Sequence, residues 1–234
     1  VDGNWKMATG GTPFQMVSVE NGSRQTFTFE QNFFDNNFSN RCDPAAGEVD
    51  LFLEPNHRLP AAGYPAGTWP NGLIPDSQVE KLSELARLDV EFTQRIVSAT
   101  QGNACPAPYN LATIQVGIGF SNDVANPPQG LFYQLVMYDS RGMQFNGSWF
   151  STNSPFGVND NVDLTYGLPL LTAGGPERSY NINILNRIKA LIQSGPAGMD
   201  RDPAHWRVTG FYGGSATHGQ AKINSTHRGY NISR

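Results

Sequence analysis

The first side chains here that could do chemistry are paired carboxylates. Asp50 and Glu54 share one face of an alternating run, as do Asp89 and Glu91. Two carboxyl groups flanking a glycosidic bond can cleave it, about 5–5.5 Å apart for retention and roughly 6.5–9.5 Å for inversion. Residues i and i+2 on a strand are about 7 Å apart, so Asp89/Glu91 meets that geometry. A solvated strand face explains the same alternation. No G-x-S-x-G nucleophile elbow is present, and His57, His205, His218 and His227 stand in no hydrolase context.

Oxygen-rich loops are the second group. "NDNVD" offers Asn159, Asp160, Asn161 and Asp163, of which Asp160 and Asp163 are the metal candidates, and "DRDPAHW" offers Asp200, Asp202 and His205. Such loops can hold Ca²⁺, which takes six to eight oxygen ligands. Asx side chains also bond their own backbone in ordinary turns. No HExxH motif or EF-hand loop occurs, so no cofactor is expected beyond that possible Ca²⁺.

Aromatics are the third group. Sugars present C–H faces that stack on Trp and Tyr, while amides and carboxylates bond their hydroxyls. Tyr64 and Trp69 lie in a Gly/Pro-rich loop, where burial is hard to arrange. Trp149 follows "FNGS", and Trp206 and Tyr212 share one face of the run "HWRVTGFYGG". Core packing is the competing reading for each. The glycines Gly210, Gly213 and Gly214 remove bulk where a ligand or a neighbouring backbone comes close.

Composition narrows the classes. Only 15% of the 234 residues are charged, against about 25% in average proteins. Net charge is −4, and no run of Lys/Arg exists to neutralise phosphates, so nucleic acid is not expected as a partner. No apolar stretch of about 18 residues predicts a membrane span. Cys42 and Cys105 each sit beside proline in loop-like sequence, and a disulfide is the leading reading over two free thiols. Asn21, Asn37, Asn146, Asn224 and Asn231 start N-x-S/T sequons. Low charge, sequons and the cysteine pair together suggest a secreted, extracellular protein.

The elements that must position these groups are mostly strands. Alternation marks "FQMVSV", "RQTFTFE", "EVDLFLE", "RLDVEFTQRIVSAT", "LATIQVGIGF", "LFYQLVMYD", "MQFNGSWFS" and the two closing runs. Eight to twelve strands between Gly/Pro/Asn turns predict an all-β antiparallel sandwich or barrel. Two helices interrupt it. "PDSQVEKLSELARL" opens with a capping box, Ser77 to Glu80. "NINILNRIKALIQSG" has Leu185, Ile188, Leu191 and Ile192 on one stripe, stopped by Gly195-Pro196. One domain spanning 1–234 is the expected organisation.

"YQLVMYDSRG", "NILNRIKALI" and "GFYGGSATHGQAKI", in that order, resemble the strand–helix–strand order of concanavalin-like jelly rolls, which include compact endoglucanases. The resemblance covers about the last 105 residues, Gly130 to Arg234. It implies a jelly-roll sandwich able to accommodate sugar. The family's two catalytic glutamates would fall near Gln134 and Ser215, neither of which can act in the usual scheme. Gln134 would then bond sugar on a concave face, with Tyr138 two steps further on the same side.

The resulting expectation is a lectin-like carbohydrate-binding protein without catalysis. Its ligand-facing residues are Tyr64, Trp69, Gln134, Tyr138, Asp139, Trp149, Trp206 and Tyr212. A polysaccharide hydrolase or lyase using Asp89, Glu91, Asp139 or His218 is the first rival. A structural or adhesive surface module is the second.

Overall fold

The computed structural model describes residues 3–7, 14–21, 24–32, 49–55, 80–102, 110–150, 156–219 and 221–233, with side chains from residue 80 onward except 211–212 and 229–233. The architecture is an antiparallel β-sandwich of jelly-roll type with few helices. Twelve strands occur among the described residues. One sheet has seven: β1 (Gly3–Met7), β4 (Val49–Pro55), β11 (Arg207–His218), β6 (Leu111–Asn122), β7 (Gln129–Asp139), β9 (Phe156–Asn161) and β8 (Asn146–Phe150), in that spatial order. The other has five: β10 (Arg178–Asn183), β5 (Asp89–Gln101), β12 (Ala221–Ser233), β3 (Arg24–Asn32) and β2 (Phe14–Asn21). Pairing is antiparallel except between β7 and β9.

The alternation seen in the sequence becomes the core. Val90, Phe92 and Ile96 of β5 face Ile114, Val116, Ile118 of β6 and Leu131, Tyr133, Leu135 of β7, all essentially buried. Each such side chain contributes about 1.5–3 kcal/mol on leaving water. Phe92 stacks on Tyr180 at 5.1 Å between centroids. A polar strip crosses this core. Gln94, Ser225 and His227 are fully buried, with Ser225 Oγ 2.8 Å from His227 Nε2 and Gln94 Nε2 3.3 Å from Nδ1.

The later helix forms as predicted: α2 spans Leu185–Gln193 and buries Leu185, Ile188, Leu191 and Ile192. A short α1 (Val162–Tyr166) precedes it and ends on Gly167, whose φ of 67° suits a residue without a side chain. The earlier predicted helix is a correction. Residues 75–79 of that segment, Ser77 included, lie outside the described residues, and 80–88 is a turn rather than a helix. Leu82 N donates to Trp206 O at 2.9 Å, and Lys81 bridges Arg207 at the mouth of β11. Lys81 N donates to Glu84 Oε2. Leu82, Leu85 and Leu88 still bury, but as plugs into the sandwich. Tertiary pairing outweighs a narrow helical stripe.

Candidate functional site

The face of the seven-stranded sheet turned away from the core is built in rows by register. Gly117 stands opposite both Tyr212 on β11 and Gln134 on β7, and Gln134 stands opposite Asn159 on β9. The next row runs Gly214, Gln115, Val136 and Asn161. On the other side lie Gly210, Gly119, Phe132 and Gly157. Neighbouring strands are about 4.8 Å apart, so one row spans the width of a sugar ring or two. Gln115, Gln134 and Asn159 are half-buried. Space above Gly210 is open: an added Cβ meets nothing within 4 Å.

Several expected ligand residues fall elsewhere. A bulge between Ile114 and Gln115 sets Tyr138 opposite Ile114 and Asp139 opposite Thr113. Tyr138 therefore turns inward and packs on the core, and Asp139 takes the outer face in its place. Asp139 is clamped by its neighbour: Arg141 Nε donates to Oδ1 at 2.9 Å, Arg141 N at 2.8 Å, and the Asp139 side chain is 2% exposed. It closes a turn. Ser215, opposite Ile114 and Leu51, is wholly buried on the inward side, so it holds no position on the outer face.

Trp206 is a core residue, 0% exposed, with Nε1 donating to Asp200 O at 2.9 Å. A fully buried ring offers no face to a ligand. Trp149 pairs with Val158, half-buried against the core. Tyr212 keeps its register position beside Gly117, but its side chain is outside the described set. Tyr64, Trp69, Cys42 and Cys105 lie outside the described residues.

Asp160 is no cation ligand. Its carboxylate is buried and bidentate with Arg187, Nε to Oδ2 at 2.8 Å and Nη2 to Oδ1 at 2.7 Å. Gly147 N also donates to it, and Tyr133 OH donates at 2.9 Å. Tyr133 OH meets Tyr166 OH at 2.9 Å. Burial pushes both phenols well above their ordinary range. The cluster fastens α2 to β7, β8 and β9. Asp163, at the start of α1, has a buried Oδ1 with no hydrogen-bond partner. Among the described residues, no group of three or more His, Cys, Asp or Glu side chains could hold a metal ion.

The rival catalytic residues are also dispersed. Asp89 pairs with exposed Arg87, whose hydrogen bond holds the carboxyl below its usual range. Glu91 accepts from Asn181 at 2.8 Å. Both belong to the five-stranded sheet, away from the rows above. His218 ends β11 opposite Leu111 and is 6% exposed.

Sequence reasoning missed Gln115 and Asn159 on the outer face. Asn159 sits in "FGVNDN", too polar to read as a strand. The "DRDPAHW" loop, legible as either a Ca²⁺ holder or an Asx turn, forms the turn, with Asp202 N donating to Asp200 Oδ1 and Ala204 N to Asp202 Oδ1, both at 2.9 Å. Asp200 Oδ2 lies 2.7 Å from His205 Nδ1 and 3.0 Å from Asn122 Nδ2, and Asp200 N donates to Gln129 Oε1. The Asx pattern of "DRDPAHW" was the available signal.

No protein-family model matches the chain, and no curated protein does. Solved structures do. A family 11 xylanase from Neocallimastix patriciarum superposes with a TM-score of 0.52 at 11% identity, over 98% of this chain and 89% of that one. A native family 12 xyloglucanase from Bacillus licheniformis gives 0.43 at 9% identity, over 98% and 99%. An endo-1,4-β-glucanase gives 0.45 at 10% identity, over 98% and 97%. At such identities the likeness speaks to the fold, and the jelly-roll resemblance read from the sequence stands at that level.

Proposed function

We propose that the outer face of the seven-stranded sheet holds a polysaccharide strand. One observation carries this reading: Gln134 and Asn159 stand side by side next to Gly117, with Gln115 one row away. Amides donate and accept at once, which suits hydroxyls, and glycine lets a ring approach the backbone. This reading is binding without cleavage: the resemblance sets the family's catalytic glutamates near Gln134 and Ser215, and neither residue can act as acid, base or nucleophile in that scheme. An extracellular location belongs to the same proposal.

A second reading is a polysaccharide-degrading enzyme. The likeness to a xylanase over nearly the whole chain favours it over a lectin-like protein. Asp50 and Glu54 on β4 stand at the register positions of Ala216 and Asn4, and carboxyls for this reading would come from there. Affinity electrophoresis in gels cast with xylan or β-1,4-glucan tests binding, and reducing-sugar release from the same polymers tests cleavage. Retardation without release supports the first reading. Release supports the second. Absence of both retardation and release overturns the proposal.

A further inference from the structure

Asn146 and Asn224 are the two sequon asparagines whose side chains are described. A glycan is bulky and hydrophilic, so the folded product needs an amide nitrogen that reaches water. Asn146 opens β8, the last strand of the seven-stranded sheet, and its side chain is exposed. Its oxygen is already held: Arg187 Nη2 donates to Asn146 Oδ1 at 2.9 Å. Among the described residues, nothing accepts from its Nδ2.

The glycine between Asn146 and Ser148 admits this arrangement. Gly147 has a φ of 67°, at the bulge where Asn146 pairs with Asp160 and Ser148 with Asn159. An added Cβ there would come within 3.1 Å of Arg187 Nη2, so a larger residue would press on the guanidinium that holds Asn146. Direction follows from register. Asp160 is buried and bonded to Arg187 of α2, and Asn146 stands opposite it. Partners directly opposite across two strands share a face, so the Asn146 side chain leaves β8 on the α2 side. Gln134 and Asn159 occupy the other face. A glycan on Asn146 projects beside α2 and leaves the polysaccharide face clear.

Asn224 is placed differently. It lies on β12 between β3 and β5, opposite Glu30 and Ser98. The residue is half-buried, and its Oδ1 is enclosed without a hydrogen-bond partner. A glycan there would have to lift the amide out of the middle of a sheet.

We propose that Asn146 carries an N-linked glycan in the secreted chain, in preference to Asn224. The oligosaccharide comes from a polyprenyl diphosphate donor. Asn146 Nδ2 bonds to the sugar's C1 and gives up one proton, while the bond from C1 to the diphosphate oxygen breaks and the lipid diphosphate leaves. The amide oxygen takes no part, so the Arg187 hydrogen bond survives. The proposal rests on the extracellular location put forward above and not on the polysaccharide face.

The full chain, secreted from a eukaryotic host behind a cleaved leader, tests this by intact glycopeptide mass spectrometry. Glycan should occupy Asn146 severalfold more often than Asn224. Ser148→Ala, which removes the sequon hydroxyl and keeps Asn146, should abolish the Asn146 glycopeptide. An unoccupied Asn146 in the secreted chain overturns the proposal, as does equal or greater occupancy at Asn224. A chain retained inside the cell overturns the location, and the proposal with it.

Discussion

Gln134 and Asn159 stand opposite each other across the parallel pair β7–β9, on the outer face of the seven-stranded sheet. Their row continues through Gly117 of β6 to Tyr212 of β11. Amides at this spacing can bridge hydroxyls on successive atoms of a sugar ring, and they neither give nor take a proton. The pair thus links the shape of the sheet to a binding role.

Gln134→Ala removes one such amide. Losing a hydrogen-bonding group costs about 0.5–1.5 kcal/mol, or roughly three- to tenfold in affinity. Isothermal titration with a β-1,4-linked oligosaccharide should show this loss, and the melting temperature should stay within a few degrees. A large thermal shift with unchanged affinity would assign Gln134 to the scaffold.

Trp206→Ala separates a core tryptophan from a sugar platform. The ring is fully buried, and large-to-small changes of this kind cost about 3–5 kcal/mol. Urea denaturation should report that cost. Full stability combined with lost sugar affinity would restore Trp206 to a ligand role.

Asp160→Asn leaves Arg187 without its buried counter-charge. Breaking such a pair costs about 3–5 kcal/mol, and Arg187's partial exposure places this case near the lower end. Chemical denaturation of Asp160→Asn measures it. An unchanged midpoint would mean that the cluster does not hold α2 to the sheet.

His227 gives the fold an acid limit. Burial pushes its imidazole down to about 3, whereas the unfolded chain titrates near 6.5. Between those values the unfolded state binds the extra proton, so stability is complete above about pH 6.5 and falls as pH drops toward 3. The slope approaches about 1.4 kcal/mol per pH unit within that window. His227→Gln should flatten it, as seen in denaturant midpoints collected from pH 7 to pH 4. Equal slopes in both proteins would contradict the assignment.

The strands were legible because their faces differ. In β5, Val90, Phe92 and Ile96 point in, and Glu91, Thr93 and Arg95 point out, so period two is visible in the residues alone. The bulge at Tyr138 left no such mark. One extra residue reverses which side chains face out, and the alternation up to Val136 predicts the wrong side for Tyr138 and Asp139. Lys81 to Leu88 misled in another way. Its leucine spacing fits a helix locally, but the backbone is taken by Trp206 and Arg207 from far along the chain. Gln134 was reached through strand-order resemblance, and Asn159 only as part of an oxygen-rich loop, not as a strand residue on this face.

Backbone amide mapping tests the central claim most directly. In ¹H–¹⁵N spectra titrated with a soluble β-1,4-linked hexasaccharide, shifts should centre on Gly117, Gln134 and Asn159 and leave β5 and β12 unmoved. Shifts confined to the five-stranded sheet, or none at millimolar sugar, would contradict the account.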